Sequence, residues 1–388
     1  MLKVILNKNE EENILNGFPW VYNNEVNNFI GDIKSGEVCS VYTLDNKFVA
    51  YGFFNASSKL MVRILSIHEE DVIDYDFINN RIKDALSHRE VLGFDNTSRL
   101  IFSEADYLPG LVVDKYADIL VCQFSSLGIY KMKDLVVKSL IDNLNPRGIY
   151  MRNDLAVNAK EGIPQEKGYL YGEFDTKVLA VENGIKLYID VKDGQKTGYF
   201  LDQKLNRDYL KYYVKGKKVL DLFSHTGGFA LNACKNGASK VTALDISEKA
   251  CHDILENAKL NGFTNLDVVC ADTFDFVRSE AMAQYDVIVL DPPAFTKSKD
   301  TVQKAYKGYK EINLQALKNI KKNGYLLTFS CSMHMTSDLF LEMVKDAVKD
   351  SKRRVQMIDF RIQSPDHPTL LVSNEQLYLK CIVLRVLE

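Results

Sequence analysis

Four short apolar runs in the second half of the chain have the pattern of strands buried on both faces. A stretch with helical spacing of apolar residues follows each run, and this alternation predicts a doubly wound, mainly parallel α/β sheet of the Rossmann-like kind. The runs are VLDLF (219–223), VTALD (241–245), DVIVL (286–290) and YLLTF (325–329), and VQMIDF and LYLKCIVLRV would complete the sheet. We expect this domain to span residues 191–388.

The preceding residues predict two further domains. Residues 1–70 contain short strand-like runs and a hairpin signal at Asp45-Asn46, which is typical of a small β-barrel. Residues 71–92 change to the spacing of an amphipathic helix. Strand-like runs then alternate with the helical segment KMKDLVVKSLIDNL, so we expect a central α/β domain over residues 71–190.

The composition excludes several classes of protein. The 388 residues carry a formal net charge of −3 and seven cysteines. These cysteines form no C-x-x-C pair, which favours reduced thiols over a disulfide framework or a zinc knuckle. No apolar run approaches the ~20 residues of a membrane span, and no signal-peptide stretch follows Met1. We therefore expect a cytoplasmic protein, without membrane or metal, whose RNA binding would need only a local basic patch.

The segment Phe223–Phe229 (FSHTGGF) links the first of the buried strands to a helix. Ligands of open α/β sheets bind at such strand ends, and the small residues there let a ligand approach the backbone. We assign Ser224, Thr226 and Gly227 to a cofactor site on this basis. The spacing is not that of G-x-G-x-x-G, so a dinucleotide oxidoreductase is poorly supported.

Three acids lie at the ends of three successive strands, namely Asp221, Asp245 and Asp272. Asp245 is placed to accept hydrogen bonds from ribose hydroxyls, and Asp272 is placed to meet an adenine amino group. Asp221 would then face an ammonium group, and this set suits a cationic nucleoside without phosphates, namely S-adenosylmethionine (SAM). The alternative is that these aspartates only cap the helices that follow them.

The fourth strand ends in Asp291–Phe295 (DPPAF), a turn stiffened by two prolines that would hold a planar base. A turn of this type also occurs in nucleic-acid methyltransferases that act on exocyclic amines. It therefore predicts base modification without specifying the atom that is methylated.

Cys331 lies at the end of the fifth strand, beside the same predicted cleft. Carbon 5 of a pyrimidine is a poor nucleophile, and attack of a thiolate on carbon 6 converts the ring into an enamine that accepts a methyl group. Methylation of an amine needs no such cysteine. The alternatives are a buried structural cysteine, or a metal ligand for which no second Cys/His pair is present.

The segment Thr296–Lys310 contains five lysines and two tyrosines beside this cleft, which suits phosphate neutralisation and base stacking by a loop. A mobile solvated loop would also carry lysines. Lys352-Arg353-Arg354 is a weaker basic patch, and the aromatic pair in Gly17–Val21 fits either a core or an RNA platform.

Several of these segments together resemble the bacterial 23S ribosomal RNA cytosine-5 methyltransferases of the large-subunit methyltransferase I type. The resemblance covers nearly the whole chain, and its combination of motifs is specific. The motifs are Gly17–Val21, Lys196–Arg207, Phe223–Phe229, Asp291–Phe295, Thr328–Ser332 and Asp366–Pro368. Two positions depart from the family, since His225 stands where Tyr is commoner and Ala294 where Lys is frequent.

The resemblance implies a PUA domain, a central domain and a C-terminal class I methyltransferase domain. It makes Cys331 the nucleophile and Asp221, Asp245 and Asp272 the cofactor ligands, with Gln203 as a weaker one.

We therefore expect a SAM-dependent RNA methyltransferase that forms 5-methylcytosine in 23S rRNA, with Cys331 and Asp291 as catalytic residues. A homodimer is compatible with this interpretation. One alternative is an enzyme that methylates guanine N2 or adenine N6, and another is a PUA-type RNA-binding protein without activity.

Overall fold

The computed structural model describes residues 1–94, 96–156, 158–296, 298–373 and 377–387, without the side chains of residues 280 and 281. The chain forms two compact units. The first comprises Met1–Ala180, Ile189–Leu201 and Pro365–Gln376, and the second comprises Val181–Tyr188, Asp202–Ser364 and Leu377–Glu388.

The first unit begins with a six-stranded sheet. Its strands are β1 Leu2–Leu6, β2 Trp20–Tyr22, β3 Val26–Ile30, β4 Val38–Tyr42, β5 Phe48–Phe54 and β6 Leu60–Ser66, with the short helix α1 Glu11–Leu15. The spatial order is β2-β6-β5-β4-β1-β3, in which only the β1–β4 pair is parallel. Asp45-Asn46 joins β4 to β5 as predicted, and the strand-like runs of the first 70 residues form one sheet.

A five-stranded sheet of order β11-β10-β9-β8-β7 completes the first unit. Its strands are β7 Thr97–Phe102, β8 Leu111–Tyr116, β9 Ile119–Phe124, β10 Gly148–Arg152 and β11 Lys167–Tyr171, with helices α2 Tyr75–Leu92, α3 Leu127–Lys131, α4 Lys133–Leu144 and α5 Asn158–Glu161. Ile78 and Ile82 of α2 share one core cluster with Phe53 and Leu65, so both sheets contribute to a common core. A hairpin of β12 Lys177–Glu182 and β13 Ile185–Asp190 follows in sequence.

The second unit contains a seven-stranded sheet of order β16-β15-β14-β17-β18-β20-β19. Its strands are β14 Lys218–Leu222, β15 Lys240–Asp245, β16 Leu266–Cys270, β17 Val287–Leu290, β18 Gly324–Ser330, β19 Val355–Arg361 and β20 Lys380–Val386. The helices are α6 Lys204–Tyr209, α7 Gly228–Lys235, α8 Glu248–Leu260, α9 Thr273–Phe276, α10 Val302–Asn319 and α11 Ser337–Ser351. Only β20 runs against its neighbours. This is the predicted Rossmann-like sheet.

Apolar clusters cover both faces of this sheet. Leu220 and Leu222 of β14 belong to the cluster that contains α10 and α11, whereas Val219 belongs to the one that contains α7. This alternation follows from the opposite directions of successive strand side chains. The edge formed by the carboxyl ends of the five parallel strands β14 to β18 is left for ligands.

Among the helices of the described residues, none is both long and apolar enough to cross a membrane.

Candidate functional site

The turn between β14 and α7 has an unusual backbone. Phe223 has φ 63°, His225 has φ 52° and Gly227 has φ 88°, so every second residue is in the left-handed region. Non-glycine residues adopt this conformation only at a cost, and such strain is concentrated at functional sites. At Gly227 the positive φ favours glycine, and an added Cβ would also make a tight contact of 3.3 Å with the side chain of Ile254.

Asp221 is the most buried of the three predicted acids, with 1% of its surface exposed. Its Oδ2 accepts hydrogen bonds from Ser224 Oγ at 2.5 Å and from the Ala230 backbone N–H at 3.0 Å. Its Oδ1 is buried and has no hydrogen-bond partner in the described part of the chain. Burial raises the pKa of Asp221 to about 7, against the lowering effect of these two hydrogen bonds. The Oδ1 atom of this carboxyl group is therefore a buried acceptor without a hydrogen-bond donor among the described residues.

Asp245 closes the same turn from the neighbouring strand. Its Oδ2 accepts from the His225 backbone N–H at 2.9 Å, and its Oδ1 accepts from the Ser247 backbone N–H at 3.0 Å. Burial lowers the pKa of the His225 imidazole to about 4, so this ring is neutral near neutral pH. Thr226 lies beside it, with Oγ1 3.3 Å from His225 Nδ1. The carboxylate of Asp245 therefore fixes the strained turn.

Asp272 caps α9, since its Oδ1 accepts from the backbone N–H groups of Phe274 and Asp275 at 2.7 and 3.3 Å. Helix capping, which the sequence left open for all three acids, is thus present at Asp272, and Asp221 likewise accepts from a first-turn N–H group of α7. The second oxygen remains available to a ligand.

Asp291 lies at the end of β17 and is bound by Gln203. Gln203 Nε2 donates to Asp291 Oδ2 at 3.0 Å, and Gln203 Oε1 accepts from Asn206 Nδ2 at 2.8 Å. Burial, together with the charges of Asp202 and Asp221, raises the pKa of the Asp291 carboxyl to about 7. Asp291 is therefore a carboxyl group that can hold a proton near neutral pH.

Cys331 follows β18 directly and is half-buried. Its Sγ lies 4.0 Å from the carbonyl oxygen of Pro292. Ser332 Oγ donates to the Thr296 carbonyl at 2.9 Å, which ties the loop after β18 to the proline turn after β17. The two predicted catalytic segments are thus in direct contact.

Phe295 packs in a row of aromatic rings. Its centroid lies 5.9 Å from that of Phe274 and 4.6 Å from that of Tyr309. Tyr309 is fully buried, and its hydroxyl accepts from Ser330 Oγ at 3.2 Å. The row forms an apolar wall next to Asp291 and Cys331.

The predicted lysine-rich loop is wrong in part, because most of it belongs to α10. Tyr309 is a core residue, and Lys310 Nζ pairs with Asp350 at 2.8 Å. Lys299, Lys304 and Lys307 are exposed, and Lys297 lies outside the described residues. Base stacking by Tyr309 is therefore excluded, whereas phosphate binding by the exposed lysines is retained.

Three other predicted features are structural. Trp20 is buried and donates from Nε1 to Glu104 at 3.0 Å, which supports the core interpretation. Arg353 donates to carbonyls at the end of α10. His367 is buried in the first unit beside Phe102, at 5.2 Å between ring centroids.

Sequence reasoning missed Lys380, which is 1% exposed at the start of β20 and donates from Nζ to the Ser332 carbonyl at 2.6 Å. A lysine at the head of the apolar run KCIVLRV was the available signal. It assigned no role to Arg207, whose guanidinium forms a two-pronged ion pair with buried Glu182 at 2.6 and 2.8 Å.

The sequence matches two known families. Residues 160–369 match the S-adenosylmethionine-dependent methyltransferase family, and residues 4–67 match a PUA-like domain.

Relatives named ribosomal RNA large subunit methyltransferase I are similar over the full length. The protein from Aeromonas hydrophila is 38% identical over 392 residues, which cover 98% of each chain. The protein from Shewanella denitrificans is 38% identical over 394 residues, which cover 99% of each chain.

Two solved structures share the fold. One is a Streptococcus mutans protein described as a SAM-dependent methyltransferase, and the other is described as a methyltransferase in complex with S-adenosylhomocysteine (SAH). Both superpose with a TM-score of 0.83 at 22% identity and cover 100% of each chain.

Proposed function

Since this chain belongs to the ribosomal RNA large subunit methyltransferase I family of SAM-dependent methyltransferases, we propose that it methylates carbon 5 of a cytosine in 23S rRNA. The observation that carries the proposal is the approach of Cys331 Sγ to the carbonyl of Pro292, 4.0 Å away. It brings a thiol to the turn that begins with Asp291. A protein with this substrate acts in the cytoplasm.

The residues of the turn after β14 fit SAM. Asp221 Oδ1 is a buried acceptor that lacks a donor, and an ammonium group supplies both a donor and a positive charge. Asp245 accepts from the ribose hydroxyls, for which each of its oxygens has a second lone pair. Asp272 accepts from the adenine amino group through Oδ2. Ser224, Thr226 and Gly227 shape the turn along which the cofactor lies.

SAM, when bound, would supply a methyl group on a positively charged sulfur, with SAH as the leaving group when carbon 5 of the cytosine takes the methyl carbon. All other steps take place between the protein and the target cytosine. The Cys331 thiolate bonds to carbon 6, and the electron pair of the carbon 5–carbon 6 double bond makes carbon 5 nucleophilic. Asp291 gives its proton to nitrogen 3, so the adduct is a neutral enamine.

The second half of the reaction restores the ring. A base removes the proton from carbon 5, and the carbon 5–carbon 6 double bond re-forms as the Cys331 thiolate leaves. Nitrogen 3 returns its proton to Asp291. A pKa of about 7 suits Asp291 for both transfers, because an acid–base group works best near the operating pH.

Exposed Lys299, Lys304 and Lys307 support an RNA substrate, because they offer positive charge near the proline turn. The PUA-like domain supports the same class of partner. Nothing in the comparisons supports the homodimer.

Methylation of guanine N2 or adenine N6 is the alternative for the same site, since the turn Asp291–Phe295 serves either chemistry. The position of Cys331 favours carbon 5, because an amine attacks a methyl group without a covalent adduct. A non-catalytic RNA-binding protein is disfavoured by the unpartnered Oδ1 of Asp221, and binding of labelled SAM would decide that point.

The test uses RNA with 5-fluorocytosine at the target, because fluorine at carbon 5 cannot leave as a proton does. The full-length protein with SAM should give an RNA adduct that survives a denaturing gel. Cys331→Ala should give none while still binding SAM, whereas Cys270→Ala, which removes an exposed thiol, should behave as wild type. Methylation by Cys331→Ala at the wild-type rate would overturn the carbon-5 proposal and favour amine methylation.

A further inference from the structure

Lys380 is a buried lysine without a carboxylate partner. Lys380 lies opposite Ser330 in the antiparallel β18–β20 pair, and only 1% of its surface is exposed. Its Nζ donates to the carbonyl of Ser332 at 2.6 Å. Among the described residues, no Asp or Glu oxygen forms an ion pair with this ammonium group.

Such a placement has a physical cost. A buried ammonium group is normally paired with an anion, because it has lost the hydration that stabilises its charge. Burial accordingly lowers the pKa of Lys380 to about 8, and the negative charge of the Cys331 thiolate is the one influence that raises it. The carbonyl of Ser332 uses one of three N–H donors, so the charge lacks a full counter-ion.

The group near Lys380 that a positive charge would stabilise is the thiolate of Cys331. Ser332, which binds Lys380, is the next residue in the chain, so the ammonium is anchored one residue away from the thiol. Two titratable groups near the thiol, Tyr309 on α10 and Asp291 after β17, are acids whose negative forms would oppose a thiolate. Lys380, by contrast, is a basic group whose ammonium is held at the residue that follows Cys331.

We propose that Lys380 is the counter-cation of the Cys331 thiolate, a positioning residue that keeps the sulfur ionised without touching the base. This rests on the proposed function in so far as the thiolate is the nucleophile. The resting pair shares one proton, which passes from the Cys331 thiol to the Lys380 amine. When the sulfur–carbon 6 bond forms, the negative charge leaves the sulfur, and when that bond breaks the ammonium receives the thiolate again.

The test measures the pKa of Cys331 by alkylation, with full-length protein and no RNA. Iodoacetamide labelling of the Cys331 peptide, followed by mass spectrometry across a pH series, reports the thiolate fraction of this cysteine alone. In wild type the midpoint should lie below the ordinary thiol value of about 8.5. Lys380→Met should raise the midpoint by about one unit and slow labelling at neutral pH about tenfold. Lys380→Arg, which keeps the charge, should retain the low midpoint.

Arg385→Met is the matched control, because Arg385 lies on the same strand and donates to Asn323 rather than near the thiol. It should leave the midpoint unchanged. An unchanged midpoint in folded Lys380→Met would overturn the proposal. If that variant does not fold, the wild-type value still decides, since a midpoint at or above about 8.5 would overturn it as well.

The alkylation midpoint and the fluorocytosine adduct test the ion pair and the carbon-5 chemistry separately. Absence of the fluorocytosine adduct with a shifted midpoint in Lys380→Met would reject the carbon-5 chemistry and keep the ion pair. Formation of the adduct with an unshifted midpoint would reject the ion pair and keep the chemistry.

Discussion

Gln203 and Asp291 are joined by a hydrogen bond of 3.0 Å, in which the amide of Gln203 holds the carboxyl group at the end of β17. The family resemblance implies Gln203 as a weaker cofactor ligand. In the structure its side-chain nitrogen donates to Asp291 and its side-chain oxygen accepts from Asn206. This favours a role for Gln203 in orienting the proton donor.

Replacing Gln203 by Leu should therefore change the pH dependence of the reaction. The hydrogen bond from Gln203 lowers the pKa of Asp291, so its loss should move the alkaline limb of the kcat profile upward by roughly half a unit to one unit. Steady-state kinetics across a pH series would measure the shift. Gln315→Leu on α10 is the control. A fall in SAM affinity with an unmoved limb would instead restore Gln203 as a cofactor ligand.

Asp245→Asn should weaken SAM binding. The variant keeps one acceptor oxygen but loses the charge that the ribose hydroxyls meet, and an unsatisfied pair of this kind costs roughly 1–3 kcal/mol. Isothermal titration calorimetry would measure the loss, with circular dichroism to check the turn that Asp245 holds through His225. Asp267→Asn is the control, because Asp267 forms an exposed ion pair with Lys240, and this variant should bind SAM as wild type does. Equal affinity in the two variants would limit Asp245 to a structural role.

SAM affinity should rise with pH. Without ligand, the pKa of Asp221 is about 7, and a cation binds best to the ionised form. Affinity should therefore increase as pH rises toward about 7, level off above it, and be accompanied by proton release. Calorimetry in buffers of different ionisation enthalpy would count the protons. Asp221→Asn should bind weakly with a flat profile, and a sloping profile in that variant would assign the proton to another group.

The same residue should limit the stability of the ligand-free protein. The folded pKa of Asp221 is raised above its unfolded value, so ionisation favours the unfolded chain as pH rises from about 4 to about 7, with the full penalty above that range. The shift corresponds to a penalty on the order of a few kcal/mol. Asp221→Asn should therefore have a higher Tm than wild type at about pH 8 and a smaller gain at about pH 5. A gain independent of pH would contradict this assignment.

Replacing Lys299, Lys304 and Lys307 by Ala should weaken RNA binding and reduce its salt dependence. Each lost phosphate contact lowers the slope of log K against log salt by about 0.7–0.9. Filter binding at several salt concentrations would measure the slope, and SAM binding should not change. Lys310→Ala is the matched control, because this lysine is already paired with Asp350. Identical slopes in the triple variant and wild type would exclude the exposed lysines from the interface.

The sequence predicted the parallel strands well, because they are short apolar runs, each followed by a segment with the apolar spacing of a helix. It did not predict α10. The lysines of this segment suggested a loop, although Ala305, Tyr309, Ile312 and Ala316 recur at helical spacing and form its buried face. The sequence also did not predict the contacts of Lys380 and Gln203, because both depend on pairings between segments that are distant in the chain.

The position of β20 between β18 and β19 has a consequence for folding. The strand that follows β19 in the chain separates it from β18 in the sheet, so β19 has no neighbour in the sheet until β20 has paired. Until then the edge of β18, which is the strand that leads to Cys331, is unpaired. Arrival of β20 closes this edge and delivers Lys380 in the same event. The reactive thiol therefore acquires its cation only when the sheet is complete.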